Sequence, residues 1–592
     1  MKTDQEQLAH MRHTLAHLLG ATILRMYPGA KNTLGPAVDN GFYYDFDMSN
    51  ITPRQGGSAT LSDKDLPKIE KEMRKLLPTW TEFTHKEVSA EEAKEFFKDN
   101  PYKLELIEEI ITKGEKITLY TAGMFTDLCR GGHSENPAKE IDPEAFKISH
   151  IAGAYWRGDS AKPMLTRVYG LAFKTKAELD AHLLQQEEAK KRDHKKLGKD
   201  MELFTFSPLV GSGLPLYMPK GTTIRNSILD FVSSLKKEND YKFVWTPHLA
   251  KENLYVTSGH LGKYDAMLPP ITTEDGEKFV LKPMNCPHHF QIFNATPHSY
   301  RDLPLRLAEN ATDYRNEKSG ELNGLLRVRS LTQDDTHHFV RHDQIPAEID
   351  MILGITKTVY EIFGFNNFRA RISVRDKKNK EKYFGTDDVW DSAEKALISA
   401  VERWGVPYFI GEGEAAFYGP KIDVMVKDTL GREWQLTTVQ LDYVQPENFD
   451  MSYTDKEGKK ARPAVLHAAI LGSLDRFMAI IIEHFAGNFP LWLSPIQVRV
   501  LPVRDTHTAY AEEIFKKLRT AGIRAEIARE DIGLGKKVRE AKEDRVSYLI
   551  IVGDKDIEAG SITLEHREKG AQGQFTAEKV LARFLEEINT KK

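Results

Sequence analysis

Near the start of the chain, the residues best placed for chemistry are His13 and His17. They stand four apart within Gln7 to Tyr27, where Leu8, Met11, Leu15, Leu18 and Leu19 recur at helical spacing. One helix face then presents both imidazoles to a single ligand or ion. A pair of solvated or capping histidines has the same spacing, and the Glu of an H-E-x-x-H motif is missing. A second segment, Asp127-Leu128-Cys129-Arg130-Gly131-Gly132-His133, adds a thiol and an imidazole four residues apart across a Gly-Gly turn, beside an acid and an Arg. Together these offer His, His, Cys and His, the ligand types and number of a zinc site. The rival is a metal-free hydrolytic pocket in which imidazoles position water and Cys129 lines the wall. The residues leave both readings open.

A second constellation is rich in arginine. Asp313 to Glu317 and Leu325 to Arg329 read as two strands joined by a polar loop, Lys318 to Gly324, with Arg315, Arg327 and Arg329 along one sheet. Guanidiniums sharing a face repel unless an anion lies between them, and a polyphosphate would fill that role; solvent-facing arginines are the plainer alternative. In His467 to Phe477 a lone Arg476 stands in an almost wholly apolar run that reads as a helix, where burial without an anionic or π partner would be costly.

These groups need a large scaffold, and 592 residues allow about three to five domains with a substantial core. No apolar run reaches the length of a membrane span, so no membrane partner is expected, and the start MKTDQEQLAHMRHTLAHLLG has the wrong order of charge and apolarity for a signal peptide. The two cysteines, Cys129 and Cys286, fit a reducing, cytoplasmic setting. With 83 basic and 87 acidic residues, a globally basic nucleic-acid coat is excluded, though not local patches. The reading divides the chain into an α+β domain at 1–176, a linker helix within 177–205, a large antiparallel sheet with helices at 206–493 and a C-terminal α/β domain at 494–592. The linker carries six basic residues and one acid between Lys190 and Lys199, which suits either a solvated face or a contact with a polyanion.

Ordered along the chain are HTLAH (His13 to His17), CRGGH (Cys129 to His133), KPMNC (Lys282 to Cys286), YRNE (Tyr314 to Glu317), RVRSLTQDDTH (Arg327 to His337), AFYGPKID (Ala416 to Asp423) and HAAILGSLDRF (His467 to Phe477). In these motifs the chain resembles the threonyl-tRNA synthetase family of class II aminoacyl-tRNA synthetases, from about residue 7 to the C-terminus. The resemblance implies an α+β multidomain protein with an editing domain, a class II antiparallel-sheet catalytic domain and an anticodon-binding domain. It implies a homodimer formed through the helix from Gly221 and the segment Phe243 to Pro247. It also implies ATP-dependent ligation of L-threonine to tRNA(Thr) through threonyl-adenylate, with Mg2+ accompanying ATP.

By resemblance, Cys286, His337 and His467 hold one Zn2+ per subunit. The trio leaves coordination sites for the amine and hydroxyl of threonine, which valine cannot fill. Arg315, Glu317, Arg327, Gln435, Thr438, Ser473 and Arg476 are implied as ATP contacts, Met284, Gln333, Asp335, Tyr418 and Gln440 as threonine contacts, and Arg315, Arg476, His260 and Lys421 as catalytic groups. Serine differs from threonine by one methyl, worth about 1–3 kcal/mol, so a second, hydrolytic sieve is needed. The family's editing site maps onto His13, His17, Tyr44, Lys103, Asp127, Cys129 and His133, which favours the metal-free reading of that cluster. The family also favours a tRNA contact for the basic linker.

Three features depart from the family pattern. The chain begins at the editing domain without a β-grasp module; Leu331 stands where a Phe usually stacks on adenine; and Glu565 stands near an anticodon-reading Arg, for which Arg567 or Arg545 could substitute. A class II synthetase for another amino acid is disfavoured by the Cys286, His337, His467 trio. A non-catalytic RNA-binding descendant is disfavoured by that trio together with Arg315 and Arg476.

Overall fold

Thr3 and Glu6 form a capping box at the start of helix Asp4–Met26, so the His13/His17 face begins on a secured N-terminus. In this computed structural model, which describes residues 3–51, 61–529 and 532–591, the chain divides into two compact units, 1–187 and 188–592. Among the described residues no helix is long and apolar enough to cross a membrane.

In the first unit, helix Asp4–Met26 buries Leu15, Leu18, Leu19 and Ile23 together with Phe42, Phe46, Phe146 and Val168 of an antiparallel sheet. That sheet runs Lys31–Asn32, Gly41–Asp47, Met164–Ala172, Phe146–Tyr155, with Ala37–Val38 also paired to Gly41–Asp47. Burying each such side chain is worth about 1.5–3 kcal/mol, so the helix is held by its packing. A smaller sheet of Thr84–Val88, Ile117–Ala122 and Phe125–Leu128 delivers Asp127 and leads into Cys129.

The expected single linker helix is two helices, Lys176–Arg192 and His194–Asp200. Asp193 stops the first and caps the second, accepting from the Lys195 and Lys196 N–H groups. The boundary between the units falls inside the first of them.

The second unit is built on an eight-stranded sheet in the order Lys242–Phe243, Leu305–Tyr314, Ser330–Val340, Ala464–Ser473, Glu433–Asp442, Lys421–Lys427, Phe368–Val374, Tyr408–Glu412. Every pairing is antiparallel except the two outermost. Helix Ile345–Phe363 and helix Leu474–His484 contribute buried Ile352, Val359, Phe477 and Ile481 to the core beside this sheet.

Two expectations are corrected here. The run His467 to Phe477 is the end of a strand followed by the first turn of helix Leu474–His484. A strand buried on both faces is as continuously apolar as a buried helix, so periodicity could not separate them. Arg315, Arg327 and Arg329 are not on strands: the strands stop at Tyr314 and resume at Ser330, and the arginines lie on the connection between them. Their charges are offset locally. Arg327 pairs with Glu317 and Glu321, and Arg329 donates to the Glu317 carbonyl.

The C-terminal sheet of this unit runs Ala525–Ile527, Val498–Pro502, Tyr548–Val552, Ile562–His566, Gly570–Phe575, parallel over the first three strands and antiparallel beyond. Glu565 pairs with Lys542. Arg567 donates to the Arg545 and Phe489 carbonyls, and Arg545 to the Ala486 carbonyl and Asn488. Both guanidiniums, offered as substitutes for an anticodon-reading Arg, are therefore spent on internal acceptors.

Candidate active site

Register brings the metal-ligand candidates together. His337 and His467 are directly opposite on adjacent strands, and Gln440 is opposite His467 on its other side. Cys286 opens helix Cys286–Asn294, and its sulfur and the two imidazoles place one donor atom each within 4.8 Å of one another. All three residues are buried.

The groups behind them select tautomers. His467 Nε2 lies 3.0 Å from Asp442 Oδ2, so Nε2–H donates to a fully buried carboxylate and Nδ1 keeps its lone pair. His337 Nδ1 lies 2.8 Å from His289 Nδ1, and His289 Nε2 lies 3.2 Å from Glu309 Oε2. If His337 donates from Nδ1, His289 accepts there and donates onward to Glu309, which leaves His337 Nε2 free as a ligand. Burial alone would raise the Glu309 carboxyl, yet hydrogen bonds from His289, the Thr246 N–H and Asn285 hold it down at about 2. Burial, followed by Asp335, Asp442 and Asp313, holds the Cys286 thiol well above its usual range, so a metal there must displace its proton. The donor set and its oriented outer partners fit a borderline-soft divalent ion.

The trio lines a cavity of about 660 Å3. Its wall includes every residue that the motifs nominated for activation: His260, Met284, Cys286, Arg315, Glu317, Arg327, Gln333, Asp335, His337, Tyr418, Lys421, Gln435, Thr438, Gln440, His467, Ser473 and Arg476. Leu331 also lines it. Three guanidiniums share this wall. Burial first, then the charges of Arg315 and Arg327, pull Arg476 below its ordinary value, with Glu317 opposing them.

Ser473 caps helix Leu474–His484 by accepting from the Arg476 N–H at 3.3 Å. Lys421 pairs with buried Asp423 at 2.8 Å, and Asp423 also holds Gln435 and Thr438. His260 Nδ1 bonds Ser258 at 2.8 Å while its buried Nε2 has no hydrogen-bond partner among the described residues. Burial, then His467, drops the His260 imidazole to about 4, so it is neutral near pH 7.

Sequence reasoning gave no role to Asp442, His289, Asp423 or Arg371, which orient the lining groups; Arg371 donates to Asp423 at 2.9 Å and to Gln435 at 2.8 Å. His289 carried a signal, three residues after Cys286 on one helix face. Asp442 carried none, being an ordinary acid in a strand, whereas Asp423 closes the AFYGPKID motif but was given no role there.

The N-terminal cluster forms in the first unit. His13, His17, Tyr44, Lys103, Asp127 and Cys129 line a cavity of about 370 Å3. His133 does not; it stacks on Phe83 at 4.0 Å and lines a neighbouring pocket with His10. Cys129 Sγ lies 3.6 Å from His13 Nε2 and 3.5 Å from His133 Nε2, and His17 Nε2 is 3.2 Å from His13 Nε2. Gly131 and Gly132 both have positive φ (+96° and +84°), and a Cβ at Gly131 would meet the Tyr120 hydroxyl at 2.6 Å, so the turn that aligns thiol and imidazole requires glycine. Asp127 accepts from Tyr44 and pairs with buried Lys103. Burial, then neighbouring His17 and His13, lowers His133 to about 2, and burial lifts the Cys129 thiol to about 11. Imidazoles and thiol are thus neutral near pH 7, arranged to hold a water as readily as an ion.

Comparison with known proteins supplies the context. Residues 270–485 match the family model described as tRNA synthetase class II core domain (G, H, P, S and T), and 497–587 match the anticodon binding domain. The chain is 47% identical over 565 residues to a threonine–tRNA ligase of Porphyromonas gingivalis, covering 95% of this chain and 85% of that one. It is 46% identical over 586 residues to one of Rubrobacter xylanophilus, covering 98% and 89%. A solved structure described as the RNA binding domain of threonyl-tRNA synthetase from Cryptosporidium parvum is similar at TM-score 0.64 and 35% identity, covering 67% of this chain and 98% of that one. With the site residues gathered in one cavity and relatives this similar over nearly its whole length, the chain belongs to the threonine–tRNA ligase family.

Proposed function

We propose that this chain activates L-threonine with ATP, transfers it to tRNA(Thr), and hydrolyses mischarged seryl-tRNA(Thr). The observation that carries the reading is the single cavity that joins a Cys286, His337, His467 donor set to a three-arginine wall. Zinc held by that trio would supply coordination sites that the amine and hydroxyl of threonine can fill and valine cannot.

The chain's own groups do the rest. Asp335, buried in the same wall, pairs with the threonine ammonium, and Gln333, Gln440, Tyr418 and Met284 shape its pocket. Arg315, Arg327 and Arg476 bind the triphosphate with its Mg2+ and stabilise charge as a carboxylate oxygen of threonine attacks the α-phosphorus and pyrophosphate leaves, giving threonyl-adenylate. Glu317, Gln435, Thr438 and Ser473 hold the nucleotide, and Lys421 sits beside the reacting groups. In transfer, the terminal ribose hydroxyl of tRNA attacks the acyl carbon and AMP departs, with neutral His260 able to take the hydroxyl proton at Nε2. In the first unit, His13, His17 and His133 hold the water that attacks the seryl ester, while Cys129 and the Tyr44, Asp127, Lys103 network form the wall. Threonyl ester is excluded there by its extra methyl. The same reading makes the protein a cytoplasmic homodimer, for which Trp245, 75% exposed beside Phe243, offers apolar surface.

Threonine-dependent exchange of pyrophosphate into ATP tests the activation half. Exchange with threonine should exceed that with valine by at least about 10³-fold; preference for any other amino acid would refute it. A His17→Ala variant should activate threonine normally and hydrolyse seryl-tRNA(Thr) about 10²-fold more slowly; undiminished hydrolysis would refute the editing half.

A further inference from the structure

His194, at the start of the short helix His194–Asp200, is a buried histidine with both ring nitrogens engaged. Its Nδ1 lies 2.7 Å from Glu483 Oε1, and its backbone N–H donates to the same oxygen at 3.0 Å. Its Nε2 accepts from the Leu325 N–H at 3.2 Å. Both contacts belong to one neutral tautomer: Nδ1–H donates to the carboxylate, and Nε2 keeps the lone pair that receives the amide. With both nitrogens in use and Asp193 capping the helix, His194, Asp193 and Glu483 serve as a joint rather than a metal site.

What the ring touches is the turn before Arg327. Gly324 has φ +51°, and a Cβ there would stand 2.2 Å from His194 Nε2, so the turn can press against the ring only as glycine. The next linker residue, Lys195, donates to Asn323 Oδ1 at 3.2 Å. The turn is closed by the Leu326 N–H donating to the Asn323 carbonyl at 2.9 Å. On its other side the Leu326 carbonyl accepts from Arg476 Nε at 3.2 Å, and Leu326 and Arg327 line the cavity. Glu483, held by the other ring nitrogen, lies on the helix whose first turn carries Arg476.

We propose that His194 is a positioning residue for ATP: it locks the 323–327 turn to helix Leu474–His484 so that Arg327 and Arg476 converge on one triphosphate. The linker thereby reaches the nucleotide site chiefly through one imidazole, with the exposed Lys195 contact beside it. This rests on reading the cavity as the ATP site, and the test separates the two claims.

Pyrophosphate exchange is measured at varied ATP and at varied threonine, with thermal melts in parallel, for His194→Ala, Gly324→Ala, Lys195→Ala and Arg476→Ala. His194→Ala and Gly324→Ala should each raise the KM for ATP about 10-fold while the KM for threonine moves less than about 2-fold, and the double variant should cost little more than either alone. Lys195→Ala removes only the exposed contact; it should raise the ATP KM about 2-fold and carries the test if the buried variants do not fold. His194→Gln, which keeps a donor and an acceptor, should recover most of the loss. A lower melting temperature with both KM values unchanged, or with both raised alike, overturns the proposal. If Arg476→Ala leaves the ATP KM unchanged, the ATP-site reading itself falls; if it raises that KM while the His194, Gly324 and Lys195 variants do not, only the positioning role falls.

Discussion

His13, His17, Cys129 and His133 in the first unit and Cys286, His337 and His467 in the second offer the same sulfur and imidazole donors, but the groups behind them differ. In the second unit each imidazole is backed by an oriented partner, Asp442 for His467 and the His289 to Glu309 relay for His337. In the first unit the rings turn toward one another, and His13 alone has an outer acceptor among the described residues, the Gly132 carbonyl 3.2 Å from its Nδ1. His17 Nδ1 and His133 Nδ1 are buried with no hydrogen-bond partner among the described residues, and the nearby carboxylate, Asp127, is already engaged by Tyr44 and Lys103. Outer-shell acceptors fix the tautomer a ligand needs and raise its basicity. The contrast teaches that two clusters with the same ligand inventory can differ in the second ring of contacts, which is where the reading of one as an ion site and the other as a water site is to be tested.

The comparison can be broken most sharply at the sulfurs. Cys286→Ser should lower threonine-dependent exchange by on the order of 10³-fold, whereas Cys129→Ser should leave it within about 2-fold. Equal losses in the two variants, measured side by side, would erase the distinction.

The outer partners come next. Asp442→Asn removes the acceptor that orients His467 and should weaken zinc binding about 10- to 100-fold, read by competition with a chelator. An unchanged affinity would mean that the second ring of contacts does not set the difference between the sites.

The smallest effect concerns pH. Burial holds His13, His17 and His133 below the ordinary imidazole value, His133 at about 2, so they stay neutral in the folded first unit while the unfolded chain takes up their protons near pH 6.5. Below that pH the unfolded state binds more protons. Stability is therefore complete above about pH 6.5 and declines as pH falls toward the folded values, by about 1.6 kcal/mol for His133 between pH 6.5 and pH 5, with His13 and His17 acting in the same direction. Urea unfolding followed by proteolysis within the first unit should show the midpoint falling over that range, and a pH-independent midpoint would mean that these rings titrate normally.

Much of this was legible beforehand. The Leu and Met spacing around His13 and His17 anticipated helix Asp4–Met26, and the order of short motifs anticipated one cavity for activation. What escaped depended on contacts distant in sequence. The facing of His337 and His467 is a matter of strand register across 130 residues, and the roles of Asp442 and His194 exist only through partners 25 and 289 positions away. Arg476 does lie on a helix, but His467 to Ser473 were assigned to that helix when they form a strand, because a doubly covered strand has no polar face to betray its period. The break at Asp193, by contrast, carried its own signal, an Asp poised as an N-cap, which the basic run around it obscured.

Zinc content of the purified wild-type, Cys129→Ser and Cys286→Ser proteins tests the central claim most directly. The account predicts about one zinc per chain in the first two and essentially none in the third. Zinc lost on changing Cys129 and retained on changing Cys286 would contradict it outright.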